Sequence, residues 1–464
     1  MVSSDVWRGN KKGIVAFSLY MAQPISLSEH FGYRKLLRFT VPSMVMMVFT
    51  SIYSIVDGMF VSNFVGKTPF AAINLIMPFL MVLGVIGYML GTGGSALVAK
   101  LLGEGQEQRA RRVFSLLVVA GVCVGVVFGA AGIAALPKVS VWLGADQSMV
   151  GHCVQYGRII LLALPFFVLQ YMFQSLMVTA ERPKLGLWVT VAAGLMNIVL
   201  DFVLIVVLGM GLQGAAWATA ASQVTGGLLP LVYFLCPNSS RLRLVVPVMD
   251  WLALVQACSN GLSEFFGNVS GSIVSMCYNY QLMRYIGQDG VSAYGVIMYV
   301  QFIFFAVFLG YTMGSSPIVS YCHGAKNYAE LHNIFVRSMR IMGVLGLVLT
   351  AGMELLAWPL TKVFVGYDPA LFDLTRRAFM IYGASYVLVG FNFYTSAFFT
   401  ALNNGVLSAL QATTRALVFE TAAVFVLPAL FGAGSIWFSV VVAECLALML
   451  SAVLLMANQK RYHY

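Results

Sequence analysis

The chemistry-bearing residues of this chain are a few ionisable side chains set inside long apolar stretches. Five carboxylates, Asp57, Asp201, Glu264, Glu420 and Glu444, occur there with one cation, Arg415. A carboxylate at bilayer depth costs about 2.5–3.5 kcal/mol on insertion scales, so such groups normally line a cavity enclosed by protein. Tyr53 precedes Asp57 by one helical turn and Asn197 precedes Asp201 by four residues, so each polar residue shares a helix face with its acid. A carboxylate pair with an adjacent amide and phenol either binds Na⁺ or holds a proton on one member. Glu264 falls near the middle of its stretch, where a cationic substrate would meet it. Glu420 and Glu444 also lie well inside theirs, and Arg415 either neutralises one of these acids or snorkels to the interface.

The elements that must position these groups follow from composition. Of 464 residues, 60% are hydrophobic and 9% charged, against roughly 25% charged in a soluble chain. A soluble globular enzyme is excluded. Apolar stretches of transmembrane length fall near residues 36–61, 70–99, 112–136, 155–180, 185–208, 211–236, 252–283, 289–320, 331–358, 374–402, 405–431 and 434–457. The short alternating strands of an outer-membrane barrel are absent, so the expected fold is an all-α polytopic membrane protein of twelve transmembrane helices. On that topology, 19 of the 27 Lys and Arg fall on the side of the termini, 7 on the other, and Arg415 within a span. The positive-inside rule then puts both termini in the cytoplasm. The net charge of +10 is a topology signal, with no nucleic-acid partner implied. Asp57 falls about four residues from the outer end of span one and Asp201 about seven from that of span five, depths that agree within about 5 Å.

The chain repeats itself. Superposing Phe64–Phe114 on Tyr285–Phe335 without a gap matches Gly66 with Gly287, Ala72 with Ala293, Met77 with Met298, Gly93 with Gly314, Ser95 with Ser316 and Gly103 with Gly324. The same offset pairs Ser175, Thr179 and Ala180 with Ser396, Thr400 and Ala401, and Gly211 with Gly432. Each unit holds six spans, so the halves insert with the same topology about an axis along the membrane normal. The expected organisation is a cytoplasmic segment 1–35, a six-helix bundle 36–236, a cytoplasmic linker 237–251, a second bundle 252–457 and a tail 458–464. Duplicated halves around a cavity describe a transporter that alternates access.

Other motifs read more plainly. Arg8, Lys11 and Lys12 before the apolar Ile14–Ala22 imitate a signal peptide, but the piece is short and lacks a small-x-small cleavage site. Met21 is an alternative start. Gly66-Lys67-Thr68 mimics the end of a phosphate-binding loop, yet position 61 is Val where the motif requires Gly. The glycine-rich Gly87–Gly94 lies in an apolar span, where small residues let helices approach closely. Seven Cys without a C-x-x-C pair read as reduced thiols, and the five His lie in loops and ends away from the buried acids. Neither a catalytic set, a cofactor nor a structural metal site is indicated.

Span one with Pro42, Tyr53 and Asp57, followed by a Gly-rich span two and Lys100-Leu101-Leu102-Gly103-Glu104-Gly105, resembles the multidrug and toxic compound extrusion (MATE) family. Asn260-Gly261-Leu262-Ser263-Glu264, Gly310-Tyr311-Thr312-Met313-Gly314-Ser315-Ser316-Pro317 and Tyr321-Cys322-His323-Gly324-Ala325 resemble its bacterial MepA-type branch. The resemblance covers residues 31–457. It implies two six-helix bundles in a V shape that export cationic amphipathic drugs or dyes in exchange for H⁺ or Na⁺. It also implies a multi-pass protein of the bacterial cytoplasmic membrane, functional as a monomer in the lipid bilayer. The family's N-terminal coupling cluster maps onto Tyr53, Asp57, Asn197, Asp201 and Thr219, with Gln174 in place of an Asn. A coupling Na⁺ would lie at Asp57, Asp201, Asn197 and Thr219, and Pro42 matches a proline at which the first helix bends. A second branch uses a seventh-helix Glu, matched by Glu264, and a tenth-helix Asp, which this chain lacks. The alternatives are a lipid-linked saccharide flippase, which would want a basic cavity, and a membrane receptor or scaffold indifferent to substitutions at Asp57 and Asp201.

Overall fold

The computed structural model describes residues 25–366 and 368–464. The basic and apolar leader from Arg8 to Ala22, with Met21, lies outside the described residues. Twelve helical units follow in order. In the first half these are α1 Tyr33–Phe64, α2 Lys67–Gly103, α3 Glu107–Trp142, α4 in two pieces Gln147–Leu162 and Leu164–Thr179, α5 Pro183–Val207 and α6 Gly211–Leu235. The second half has α7 Trp251–Tyr285, α8 Gln288–Gly324, α9 Tyr328–Val365, α10 in two pieces Pro369–Ala384 and Tyr386–Ala401, α11 Gly405–Phe431 and α12 Ala433–Tyr462. No strand occurs among the described residues.

Nine of these helices are long and apolar enough to cross a membrane, or ten when the α4 pieces, bent by 56° with Pro165 just past the break, count as one span. The measure leaves out α7 and α10. α7 carries Asn260, Ser263, Glu264, Asn268 and Ser270, and α10 carries Asp373, Arg376 and Arg377 before its break. Asn260 and Ser263 of α7 are used inside the second half, whereas Asp373, Arg376 and Arg377 of α10 are exposed. The helices also outrun the apolar stretches that announce them, because the ladder continues to whatever cap the sequence supplies. Asp146, Asp250, Asn327 and Asn404 each accept a main-chain N–H at the start of α4, α7, α9 and α11.

Each half has its own apolar core, built from α2 to α6 in one and α7 to α12 in the other. The boundary is crossed both ways: Leu36 and Phe39 at the start of α1 belong to the second half's core, and Val61 near its end, with Ala253 and Ala257 of α7, to the first half's. The halves meet through α1 with α8 and through α2 with α7 and α8. At these crossings glycine is required. A Cβ on Gly93 would lie 2.6 Å from Gly261 N, one on Gly261 2.6 Å from Met89 C, and one on Gly310 2.7 Å from Ser43 O. Gly103 and Gly324, matched in the repeat, face the other half's backbone reciprocally, their added Cβ atoms lying 2.9 Å from Ala325 N and from Lys100 C. All these contacts sit toward the end of the molecule that carries the basic loops. Farther along α1, Ser51 Oγ donates to Phe302 O across the halves at 3.4 Å.

The segment before α1 straps the two halves together at that end. Leu27 N and Ser26 Oγ donate to Glu181 of the first half at 2.8 and 3.0 Å. Phe31 N donates to Glu330 at 2.8 Å, and Arg337 Nη1 donates to Phe31 O at 2.6 Å, both from the second half. Leu27 and Phe31 are buried in the second half's core. Between these anchors Glu29 accepts from Ser26 N at 2.9 Å and pairs with Lys35. The hydrogen bond from Lys35, with that from Ser26 N, holds the Glu29 carboxyl below its ordinary pKa.

Candidate functional site

In the first half, α1, α4, α5 and α6 converge on the acids expected from the sequence. Asn197 Nδ2 donates to Asp57 Oδ1 at 3.5 Å, and the Asp57 and Asp201 carboxyls face one another. Asp201 is fully buried and Asn197 is 1% exposed. Four buried oxygens here, both of Asp201, Oδ1 of Asn197 and Oγ1 of Thr219, have no hydrogen-bond partner among the described residues. Buried polar groups are nearly always satisfied, so a cluster of four is the most unusual feature of this half. All four are hard oxygen donors, the kind that bind alkali cations or accept a proton.

Local structure explains how the groups come together. Gly194, one turn before Asn197, brings α5 against α1, and a Cβ there would lie 2.8 Å from the ring of Tyr53 and 2.5 Å from that of Phe49. Asp201 ends the regular part of α5, and Phe202–Val207 continue as a π-helical turn. Such turns often mark functional positions because the widened ladder frees a backbone group. Tyr156 on α4, 2% exposed, lies beside Thr219 and within electrostatic reach of Asp57. It was not legible in the sequence, since only the break in α4 aims it at this cluster. Gln174 is not joined to the acids by any hydrogen bond. Its Oε1 accepts from Tyr88 at 3.1 Å, and it lines a cavity of ≈ 10 Å³ with Gln170, Thr190, Gly226 and Pro230. That space holds about one water.

Pro42 lies inside α1, which is continuous from Tyr33 to Phe64. Its neighbours Thr40, Ser43 and Met44 are the residues that Gly314 and Gly310 of α8 approach. Pro42 therefore sits at the crossing of the two halves.

In the second half, Glu264 and Glu420 have no ion-pair partner among the described residues. Glu264 lies one turn beyond Asn260, whose Nδ2 donates to Asn403 Oδ1 at 2.8 Å and ties α7 to the α10–α11 turn. Glu444 is different. Arg415 Nη1 donates to its Oε1 at 2.7 Å and Asn392 Nδ2 to its Oε2 at 2.7 Å, so both oxygens are satisfied. Arg415 thus neutralises an acid instead of snorkelling. Among the described residues, no cluster of His, Cys, Asp and Glu could hold a metal ion.

Comparison with known proteins places this architecture. The MatE family model matches the chain twice, over residues 42–203 and 265–426. The chain belongs to the MATE family. One match falls in each half, as the internal repeat requires. A relative in Staphylococcus saprophyticus, the multidrug export protein MepA, is 25% identical over 434 residues, 91% of this chain and 94% of its own length. The MepA protein of Staphylococcus aureus strain MRSA252 is 21% identical over 417 residues, 89% and 91% of the two chains. A solved structure of a multidrug resistance MATE family transporter, in an outward-facing conformation, superposes with a TM-score of 0.87 at 21% identity, covering 92% of this chain and 96% of that one. This MATE protein is accordingly an all-helical, multi-pass membrane transporter and not an enzyme.

Proposed function

We propose that this protein is a multidrug exporter that expels cationic amphipathic compounds in exchange for H⁺ or Na⁺, and that Asp57, Asn197, Asp201 and Thr219 form its coupling site. The observation that carries this reading is the group of four buried oxygens without partners among the described residues, two of them the Asp201 carboxylate that faces Asp57. They cluster where a proton or alkali cation would complete their bonding. Tyr53 flanks the site, Gln174 acts one shell away through Tyr88, and Glu264 offers a counter-charge to the substrate's cation. Coupling then works by linkage: ion and substrate bind one two-state equilibrium with different preferences, so each shifts the other.

Pro42 supplies the route. It lies 15 residues from Asp57 on the same helix, about 22 Å along the axis. Lacking an N–H, it leaves the Arg38 carbonyl without its helical donor and lowers the cost of bending there. A bend at this point would move α1 against Gly310 and Gly314, the contact that closes the basic end. The basic-loop end, with both termini, is assigned to the cytoplasm of a bacterial inner membrane. The described state is then closed inward, and the two-bundle pathway is complete in a monomer. Acids unmatched by cations favour a cationic substrate over the pyrophosphate of a lipid-linked saccharide.

The test is ethidium efflux from cells lacking their own exporters, with imposed pH and Na⁺ gradients applied separately. Asp57→Asn and Asp201→Asn, at wild-type membrane abundance, are expected to reduce gradient-driven efflux to below about a tenth. Whichever gradient drives wild-type efflux names the ion. Undiminished efflux in both variants refutes the coupling site, and absent efflux by wild type returns the flippase reading.

A further inference from the structure

Among the described residues of the second half, Arg415 is the cation paired to a buried acid inside the helices, and its surroundings give it a role. Arg415 is half-buried on the π-helical turn Thr414–Phe419 of α11, and its guanidinium lies 4.4 Å from the centroid of the Phe393 ring. Glu444 of α12 holds it at 2.7 Å and is itself 2% exposed. Asn392 of α10 donates both to Glu444 Oε2 and, at 3.0 Å, to its main-chain O. Ser451 Oγ donates to Asn392 Oδ1 at 2.9 Å and Gln411 Nε2 to Ser451 Oγ at 3.1 Å. Five residues on three helices thus fix one guanidinium in place.

The fold does not require this pair. The first half builds the same six-helix unit with Gln223 at the repeat position of Glu444 and, counted from the helix starts Pro183 and Gly405, Ala193 at that of Arg415. A buried ion pair is also no more stabilising than apolar residues of the same volume. What the pair does provide is a plus and a minus charge fixed beside two other acids: the turn that carries Arg415 packs against α7, the helix of Glu264, and Glu420 follows Arg415 by five residues on α11. Among the described residues, those are the two acids of this half that lie within its helices, are not exposed and have no ion-pair partner.

We infer that Arg415, held by Glu444 and Asn392, is a specificity-determining residue that sets the charge of the substrate this half accepts. With Glu444 neutralised by Arg415, the acids left to meet a substrate are Glu264 and Glu420. Removing Glu444 adds one net positive charge to this wall, because a guanidinium stays protonated, and removing Arg415 adds one net negative charge wherever the stranded Glu444 stays ionised, at alkaline pH. The loss of Arg415 favours dications over monocations and the loss of Glu444 does the reverse. This inference rests on the cationic-substrate reading above.

The experiment is direct dye binding to the purified full-length protein in lipid nanodiscs, followed by fluorescence anisotropy. Ethidium and propidium share one aromatic core and differ by an added quaternary ammonium, so the ratio of their affinities reads local charge and cancels packing. Arg415→Gln is expected to raise the propidium-to-ethidium ratio about tenfold at alkaline pH, where Glu444 is ionised, as one unit charge at roughly 10 Å does in a medium of intermediate polarity. Glu444→Gln is expected to lower it by a similar factor. The double variant and Arg415→Lys are expected to stay within about twofold of wild type, because net charge is restored or kept. Each single variant strands a buried charge; Glu444→Gln decides at any pH because the guanidinium keeps its charge, and Arg415→Gln at alkaline pH decides if Glu444→Gln does not fold. A ratio unmoved in folded Glu444→Gln, or in folded Arg415→Gln at alkaline pH, overturns the inference, as does a double variant that keeps the Glu444→Gln ratio. Wild type that binds neither dye overturns the cationic-substrate reading and this inference with it, whereas binding with an unmoved ratio overturns only the role of Arg415.

Discussion

Substituting Gly261 by Ala should pry the two halves apart at the basic end. The added Cβ would be pressed into the main-chain O of Met89 and lie 2.6 Å from its carbonyl carbon. These are backbone atoms in the middle of α2, so no side chain can rotate away and the helices themselves must separate. Overpacking of this kind costs about 1–3 kcal/mol, which is roughly a 5- to 150-fold shift in a two-state equilibrium. The intrinsic helix preference of Ala over Gly acts in both states and selects neither. The assay is an electron-spin distance measurement in nanodiscs, with labels at the exposed Arg112 on α3 and Arg340 on α9 in a background free of native cysteines. The long-distance population should rise by that factor in Gly261→Ala, and likewise in Gly93→Ala from the facing side. Gly271→Ala, on the same helix but with nothing within 4 Å of its Cβ, should leave the distribution unchanged. A folded Gly261→Ala protein with a wild-type distance distribution would refute the argument that glycine at this crossing holds the halves together.

The strap at the same end gives two further tests. Glu181→Gln removes the charge that receives Leu27 N and Ser26 Oγ, and loss of a charge-assisted bond is worth about 1.5–3 kcal/mol. The Leu27 amide should exchange with deuterium at least about tenfold faster, while the Phe31 amide, held by Glu330, keeps its rate; unchanged exchange at both would sink the assignment. Glu29 carries the pH dependence. Its carboxyl is held below the ordinary value by Lys35 and Ser26 N, so its contribution is present above the unfolded pKa and disappears as pH falls through the depressed folded one. Protection of the Ser26 amide should therefore be constant from neutral pH down to the usual carboxylate range and fall below it. Glu29→Gln should abolish that acid step, and a step that persists in the variant assigns it to another group.

Much of this protein was legible from residue type and spacing because a bilayer is an unforgiving solvent. Every backbone group must be paired within its own segment, so apolar stretches of transmembrane length had to become helices. The repeat was legible for a related reason. Gly66 and Gly287 match because both adopt positive φ, +102° and +89°, and Gly103 and Gly324 match because each faces the other half's backbone. Side chains cannot substitute at either kind of position, so glycine persists in both copies. Asp57 with Tyr53 and Asp201 with Asn197 could be paired by helical periodicity, and their equal depth followed from rise per residue.

Long-range pairing was not accessible this way. Spacing along one helix says nothing about which face of a distant helix it meets, so the contact of Tyr156 with Thr219 had to come from the fold. The same is true of the alternative at Arg415, which the sequence left open between neutralising an acid and snorkelling. The bond to Glu444 crosses 29 residues and depends on a π-helical turn that rotates α11. The strap shows the same division, since Leu27 and Glu181 are 154 residues apart and carry no local signal. The sequence by itself determined the solvent, the helices, the duplication and the two acid-bearing faces, because these are set by free energies summed over neighbouring residues. The tertiary structure alone decided which faces meet and which charges are left without a partner, because those depend on packing between segments far apart in the chain.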